Sequence, residues 1–356
     1  MRVFVHAGLN KTGSTSLQAY LANARAGLAG AGVIYPDLGA DNHWRLVTEL
    51  LGEGERRGGY LTKLKAEQGS AGALDVLADA IRQCRDDGSV LLLSHENFSV
   101  RERLVALERF VTSVDPGAEL IVLAYCREPV PLYQSSVQHN LRRTGSYPDL
   151  AGWKSGHVAR ARRLHTLLGE RLLLRCFARS VLREGDVVED FRAWFLAAAG
   201  RSLPPAAEPF QRNVALSVEG CGLILETKDE PRSAEAAAHV RLLIGEFDEA
   251  QAGTTKLVLS ARFADPIRAD NARDWNAVVD LLTHPDAEKL SLRVDEAPTH
   301  RARPKMFDRW LRAQVTRAYR DGFRAFVAER AQAEAPGYDN AADQQARSAA
   351  SAVSQS

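Results

Sequence analysis

Near the amino terminus, Gly8-Leu9-Asn10-Lys11-Thr12-Gly13-Ser14-Thr15-Ser16 combines glycines, hydroxyls and a lysine in one short segment. The apolar run Val3 to His6 before it reads as a short buried strand. After it, Leu17, Tyr20, Leu21, Ala24 and Leu28 recur at helical spacing. A loop between a strand and a helix is where backbone N–H groups and the helix dipole hold phosphate. Gly8 and Gly13 are separated by four residues, as in the loop of nucleoside triphosphatases, but Ser14 occupies the position where those proteins need lysine. The lysine lies three residues earlier, at Lys11, and no obvious magnesium-binding aspartate follows a strand end. Ordinary ATP or GTP chemistry is thereby disfavoured. A P-loop nucleotide kinase remains the rival enzyme, and a nucleotide-binding scaffold without turnover the non-enzyme alternative.

Two more apolar runs end in polar residues. Val90 to Leu93 leads into Ser94-His95-Glu96-Asn97, and Leu120 to Tyr125 into Cys126-Arg127-Glu128-Pro129. Gly32 to Pro36 and Leu172 to Phe177 read as further strands. Helical spacing marks Leu74 to Ile81 (stopping at Gly88), residues 105–113 and 158–168, and Val188 to Phe195. Strands alternating with helices predict a doubly wound α/β fold, with a P-loop-like parallel sheet flanked by helices. Ligands of such sheets sit beyond the carboxyl ends of the strands, where the three polar ends could share one crevice.

The run K-T-G-S-T-S-L-Q, followed by a helix and G-V-I-Y-P, resembles the 5′-phosphosulfate loop of sulfotransferases that use 3′-phosphoadenosine 5′-phosphosulfate (PAPS), most closely the bacterial carbohydrate-type members. CREPVPLYQSSVQ adds an arginine at a later strand end, a proline two residues on and a serine eight residues on. GDVVEDFRAWFLAAAG resembles a later helix of that family, so the likeness covers roughly residues 1–215. It implies that Lys11, Thr12, Gly13, Ser14, Thr15 and Ser16 hold the 5′ end of PAPS, and that Arg127 and Ser135 hold the 3′-phosphate, with no metal. Lys11 would stabilise charge on the leaving oxygen, and Glu96 would be the base for a hydroxyl acceptor, a carbohydrate by resemblance. His95, His6 and His139 are alternative bases. Gln211 to Ser217 supplies Arg212 and Asn213 as weaker candidates, although the K-x-G-x-x-G pattern of the cytosolic enzymes is absent.

The 356 residues carry 46 Lys plus Arg against 45 Asp plus Glu, so a polybasic nucleic-acid binder is not the default reading. With 45% hydrophobic and 26% charged residues, the chain has the composition of a globular protein with a sizeable core. The four cysteines form no C-x-x-C pair, so they read as reduced, buried thiols. The N-terminal apolar run is too short for a signal peptide or a membrane span, which predicts a cytoplasmic protein.

Three parts are expected: a transferase core over 1–215, a mainly helical unit over 216–330 that could contribute to acceptor binding, and a disordered tail over 331–356. Residues 52–72 read as a surface loop. Within the second unit, Lys256 to Leu259 reads as a strand, Trp275 to Leu282 as a helix and residues 305–330 as one long helix. Its apolar face holds Phe307, Trp310, Leu311, Val315, Tyr319, Phe323, Phe326 and Val327. Residues 301–330 hold nine Lys/Arg against three Asp/Glu, and Arg142, Arg143, Arg160, Arg162 and Arg163 form another basic cluster. Such clusters are solvated faces by default. The sharper expectation is that one of them guides a polyanionic glycan acceptor.

Overall fold

The structure is a computed structural model describing residues 1–50, 72–206, 215–230, 233–251, 255–283, 287–292 and 304–334. The expected surface loop apart from Gly72, the segment with Arg212 and Asn213, and the expected tail beyond Glu334 lie outside the described residues.

The chain opens with β1 (Arg2–His6), α1 (Ser14–Asn23), α2 (Arg25–Gly30), β2 (Val33–Ile34) and α3 (Trp44–Glu49). It continues through α4 (Ala73–Asp87), β3 (Val90–Ser94), a single 3-10 turn (Glu96–Ser99), α5 (Arg101–Val114) and β4 (Glu119–Cys126). Next come α6 (Pro129–Thr144), α7 (Gly156–Leu168), β5 (Leu172–Cys176) and α8 (Val187–Ala199). The strands form an all-parallel sheet in the order β2-β3-β1-β4-β5, which is the expected α/β architecture. β1 is central, and His6 lies in register between Ser94 of β3 and Leu123 of β4.

Both faces of the sheet are covered, which explains why its strands read as continuous apolar runs. Side chains alternate across a strand. Val3, Val5, Leu91, Leu93, Val122 and Ala124 therefore pack on one face with Ile81 of α4, Leu107 of α5 and Leu164 of α7. Phe4, Leu92, Leu123 and Tyr125 pack on the other, against Leu17, Tyr20 and Leu21 of α1 and Phe191, Trp194 and Phe195 of α8. Gly88, with φ +74°, closes α4 in the left-handed region where a glycine stop is favoured.

The carboxyl half contains α9 (Val218–Lys228), α10 (Ala234–Ala250), α11 (Ala261–Val279), α12 (Pro304–Ala313) and α13 (Arg317–Glu334). Two compact units result. One takes the described residues of 1–140, 146–215 and 257–307; the other takes 141–145, 216–256 and those from 308 onward. The described residues of 257–307 thus group with the sheet, where the sequence places them in the carboxyl-terminal unit.

Two expected elements differ. Lys256 to Leu259 is not a strand: Lys256 makes one isolated bridge to Ser217, and Leu257 and Leu259 are buried while Val258 is 67% exposed. Extended chain lying on one apolar surface gives the same alternation as a strand. The expected long helix over 305–330 is two helices, because the Thr316 hydroxyl accepts the Tyr319 N–H at 3.1 Å and caps a new helix. That second helix runs on to Glu334, into the expected tail.

In the second unit, buried Asp248 accepts the Ser217 N–H at 2.7 Å, the Ser217 hydroxyl and the Tyr319 hydroxyl, joining the start of α9 to α10 and α13. Phe247 packs against the rings of Tyr319, Phe323 and Phe326; Phe247 and Tyr319 are buried and Phe323 and Phe326 half-buried. No helix among the described residues is long and apolar enough to cross a membrane.

Candidate functional site

The loop after β1 begins in the sheet itself. Ala7 and Leu9 donate to the carbonyls of Leu123 and Tyr125, so the chain leaves the sheet beside the end of β4. Gly8 (φ +85°) and Gly13 (φ +77°) adopt the left-handed conformation that glycine allows without strain. Lys11 shares it at φ +64°. α1 starts directly after Gly13, leaving the N–H groups of its first turn without partners inside the helix. Thr15 is exposed and Ser16 half-buried on this turn. The hydroxyls of Thr12 and Ser14 differ from expectation. Both turn inward onto the Leu9 carbonyl, at 2.6 and 3.3 Å, and brace the loop from below.

Glu96 lies against this loop. A Cβ placed on Gly8 would stand 3.1 Å from the Cα and Cγ atoms of Glu96, so only a glycine lets the two segments approach so closely. Glu96 is half-buried and opens the turn Glu96–Ser99 at the end of β3, where the Ser99 hydroxyl holds its carbonyl at 2.6 Å. Arg127 approaches from the end of β4. Its Nη1 donates to the Lys11 carbonyl at 3.1 Å, and its guanidinium lies 5.3 Å from the centre of the Phe177 ring. The buried Nε has no hydrogen-bond partner among the described residues. Phe177 and Val187 also crowd Gly13, where an added Cβ would meet them at 2.9 and 3.0 Å. Arg127 is therefore tied, from the end of β4, to the loop that carries Lys11.

Ser135 is the seventh residue of α6, which begins at Pro129. It is half-buried on the second turn of that helix. Of the histidines considered as bases, His139 is exposed on α6. The His95 Nδ1 accepts the Asn97 N–H at 3.0 Å, which turns the ring back onto its own loop. His6 is fully buried, its Nδ1 2.8 Å from the Ser94 hydroxyl and its ring edge-on to Tyr125 and Phe191.

Further residues contribute to the site, of which His43 and His157 carried no sequence signal. The Ser94 hydroxyl also accepts from Gln18 Nε2 at 3.2 Å, and its N–H donates to His43 Nδ1 at 2.9 Å, tying the end of β3 to α1 and to the segment before α3. His157, on the first turn of α7, accepts the Arg127 N–H through Nδ1 at 3.1 Å. One turn later, Arg160 donates to Asn10 of the loop at 2.8 Å. These contacts bridge up to 150 residues of chain, far outside any local pattern.

Burial holds four of these histidines neutral. The pKa of His6 and His157 is pushed down to about 3, and that of His43 and His95 to about 4. In His43, His95 and His157 the ring nitrogen that would take the proton already accepts a backbone N–H. An unfolded histidine binds protons below about 6.5, so the unfolded chain gains protons that the folded chain refuses as pH falls from there toward 4. Stability is expected to be flat above pH ~7 and to drop between about 6.5 and 4, by up to ~1.4 kcal/mol per pH unit for each histidine. Urea midpoints at pH ~7, ~6 and ~5 check this; a midpoint unchanged over that range contradicts it.

No family model matches the chain, and neither a curated protein nor a solved structure matches it significantly.

Proposed function

We propose that this chain is a sulfotransferase that takes a sulfuryl group from PAPS and places it on the hydroxyl of a carbohydrate. The observation that carries the reading is the convergence of Lys11, Arg127 and Glu96, from three neighbouring strand ends, on a single glycine-containing loop.

The residues present fit a donor with anionic groups. The loop offers the N–H groups of a helix start, the Lys11 cation and the buried Nε of Arg127, which has no hydrogen-bond partner among the described residues. In this reading Lys11, Gly13, Thr15 and Ser16 hold the 5′ end of the donor, Thr12 and Ser14 shape the loop, and Arg127 with Ser135 holds the 3′-phosphate. PAPS supplies a neutral SO₃ unit on a phosphate leaving group. Lys11 stabilises negative charge at the leaving oxygen. Glu96 accepts the proton of the acceptor hydroxyl. Ser14, standing in place of the triphosphatase lysine, favours this reading over a nucleotide kinase.

The test is direct titration of adenosine 3′,5′-bisphosphate, the product left after transfer. Arg127→Ala removes charge-assisted hydrogen bonds of about 1.5–3 kcal/mol, so its affinity should fall about 10–100-fold. Arg127→Lys should recover little of it, because an ammonium does not reproduce the planar fork. Equal affinity in wild type and Arg127→Ala contradicts the assignment.

A further inference from the structure

The basic clusters seen in the sequence separate into two kinds once their neighbours are known. In the carboxyl-terminal stretch, Arg312 pairs with Asp308 and Asp229, Arg320 with Glu226, Arg324 with Asp321 and Arg330 with Glu246. Arg162, on α7, pairs with Asp274. Arg160 and Arg163 on the same helix and Arg103 on α5 make no ion pair among the described residues.

Arg160 is half-buried, and its Nη1 rests on two neutral oxygens, Asn10 Oδ1 at 2.8 Å and Ser99 Oγ at 3.4 Å. Asn10 belongs to the loop that carries Lys11, and Ser99 closes the turn that begins at Glu96. The guanidinium thus bridges the two segments that flank the transfer site. Burial, with the nearby charges of Arg163 and Arg103, lowers its pKa, as expected of a cation that lacks a counter-charge. Keeping three like charges together without an acid is unfavourable, and a bound anion relieves it. The donor's anionic ends are already assigned to the Lys11 loop and Arg127, so this cluster is left for the other substrate.

We infer that Arg160, Arg163 and Arg103 form an anion subsite that receives a carboxylate or sulfate carried by the acceptor, which makes the acceptor an acidic glycan. This rests on the sulfotransferase reading and specifies its acceptor class. Arg160 is then a specificity-determining residue: it selects the acceptor and holds its acidic group beside Glu96.

The test compares a hyaluronan tetrasaccharide, which carries carboxylates, with its carboxyl-reduced neutral counterpart, titrated into full-length protein saturated with adenosine 3′,5′-bisphosphate at low salt. Wild type should prefer the acidic probe by about 10-fold or more, and the preference should shrink as salt is raised. Arg160→Gln with Arg163→Gln keeps polar side chains while removing two charges; it should bring the two probes within about 3-fold. A urea midpoint close to that of wild type certifies that the variant is folded. If that variant binds the bisphosphate poorly, the single Arg103→Gln, which leaves the Asn10 and Ser99 contacts intact, should still reduce the preference. Equal binding of the two probes by wild type, no binding of the acidic probe, or a preference that survives the substitutions overturns the inference. Failure of wild type to bind the bisphosphate is a separate result, which removes the donor reading instead.

Discussion

Lys11→Met should lower the rate of sulfuryl transfer by about 10²–10³-fold, the usual cost of losing one group aimed at charge that develops in the transition state. The substitution keeps an unbranched side chain, one atom shorter, and removes the cation. It leaves the backbone carbonyl that Arg127 uses, so the loop keeps its tie to the end of β4. Charge on the leaving oxygen is larger in the transition state than in the bound donor, so kcat should fall more than donor affinity. Transfer of labelled sulfate under single-turnover conditions separates the two. A variant that loses donor affinity and keeps its single-turnover rate would make Lys11 a binding residue only.

Glu96→Gln should cost about 10²–10⁴-fold in transfer, the range for removing a positioned general base. Glutamine has nearly the same shape, so the close fit against Gly8 survives while the ability to take a proton is lost. Donor-product binding should therefore stay within about 3-fold of wild type, because the base is assigned to the acceptor. The structure makes this a sharp comparison. His6 is sealed in the sheet, and His95 accepts a hydrogen bond from its own loop, so neither replaces a lost carboxylate without rearrangement. Near-normal turnover in Glu96→Gln, with loss of turnover in His95→Ala, would reverse the assignment.

What the sequence shows of this protein follows from the range over which its signals act. The strands of the sheet were legible because each is a short, mostly apolar run, three of them closed by polar residues, and Gly88 marked the end of α4. The polar strand ends were legible because a parallel sheet presents them at one edge. Long-range pairing was not. Nothing local in the sequence places Gly8 against Glu96, turns Arg127 under Lys11 or brings Arg160 to Asn10. The helix break near Thr316 went unread because the aromatic positions keep nearly the same helical spacing across it, and a single threonine cap is a weak signal inside a strong pattern. Local charge misled for a related reason. The excess over 301–330 is offset by Asp229, Glu226 and Glu246 from other helices, whereas Arg160 looked ordinary and has no acid beside it.

The account depends on the loop and Arg127 recognising a 3′,5′-bisphosphate and not a nucleoside di- or triphosphate. Thermal unfolding in the presence of adenosine 3′,5′-bisphosphate, ADP with magnesium and GDP with magnesium tests this most directly. At ~100 times its dissociation constant, a ligand that binds only the folded chain adds about 2.7 kcal/mol, which at this chain length raises the midpoint by several degrees. The account predicts that rise for the bisphosphate, and little or none for ADP or GDP. Stabilisation by ADP or GDP with magnesium, and none by the bisphosphate, would contradict it.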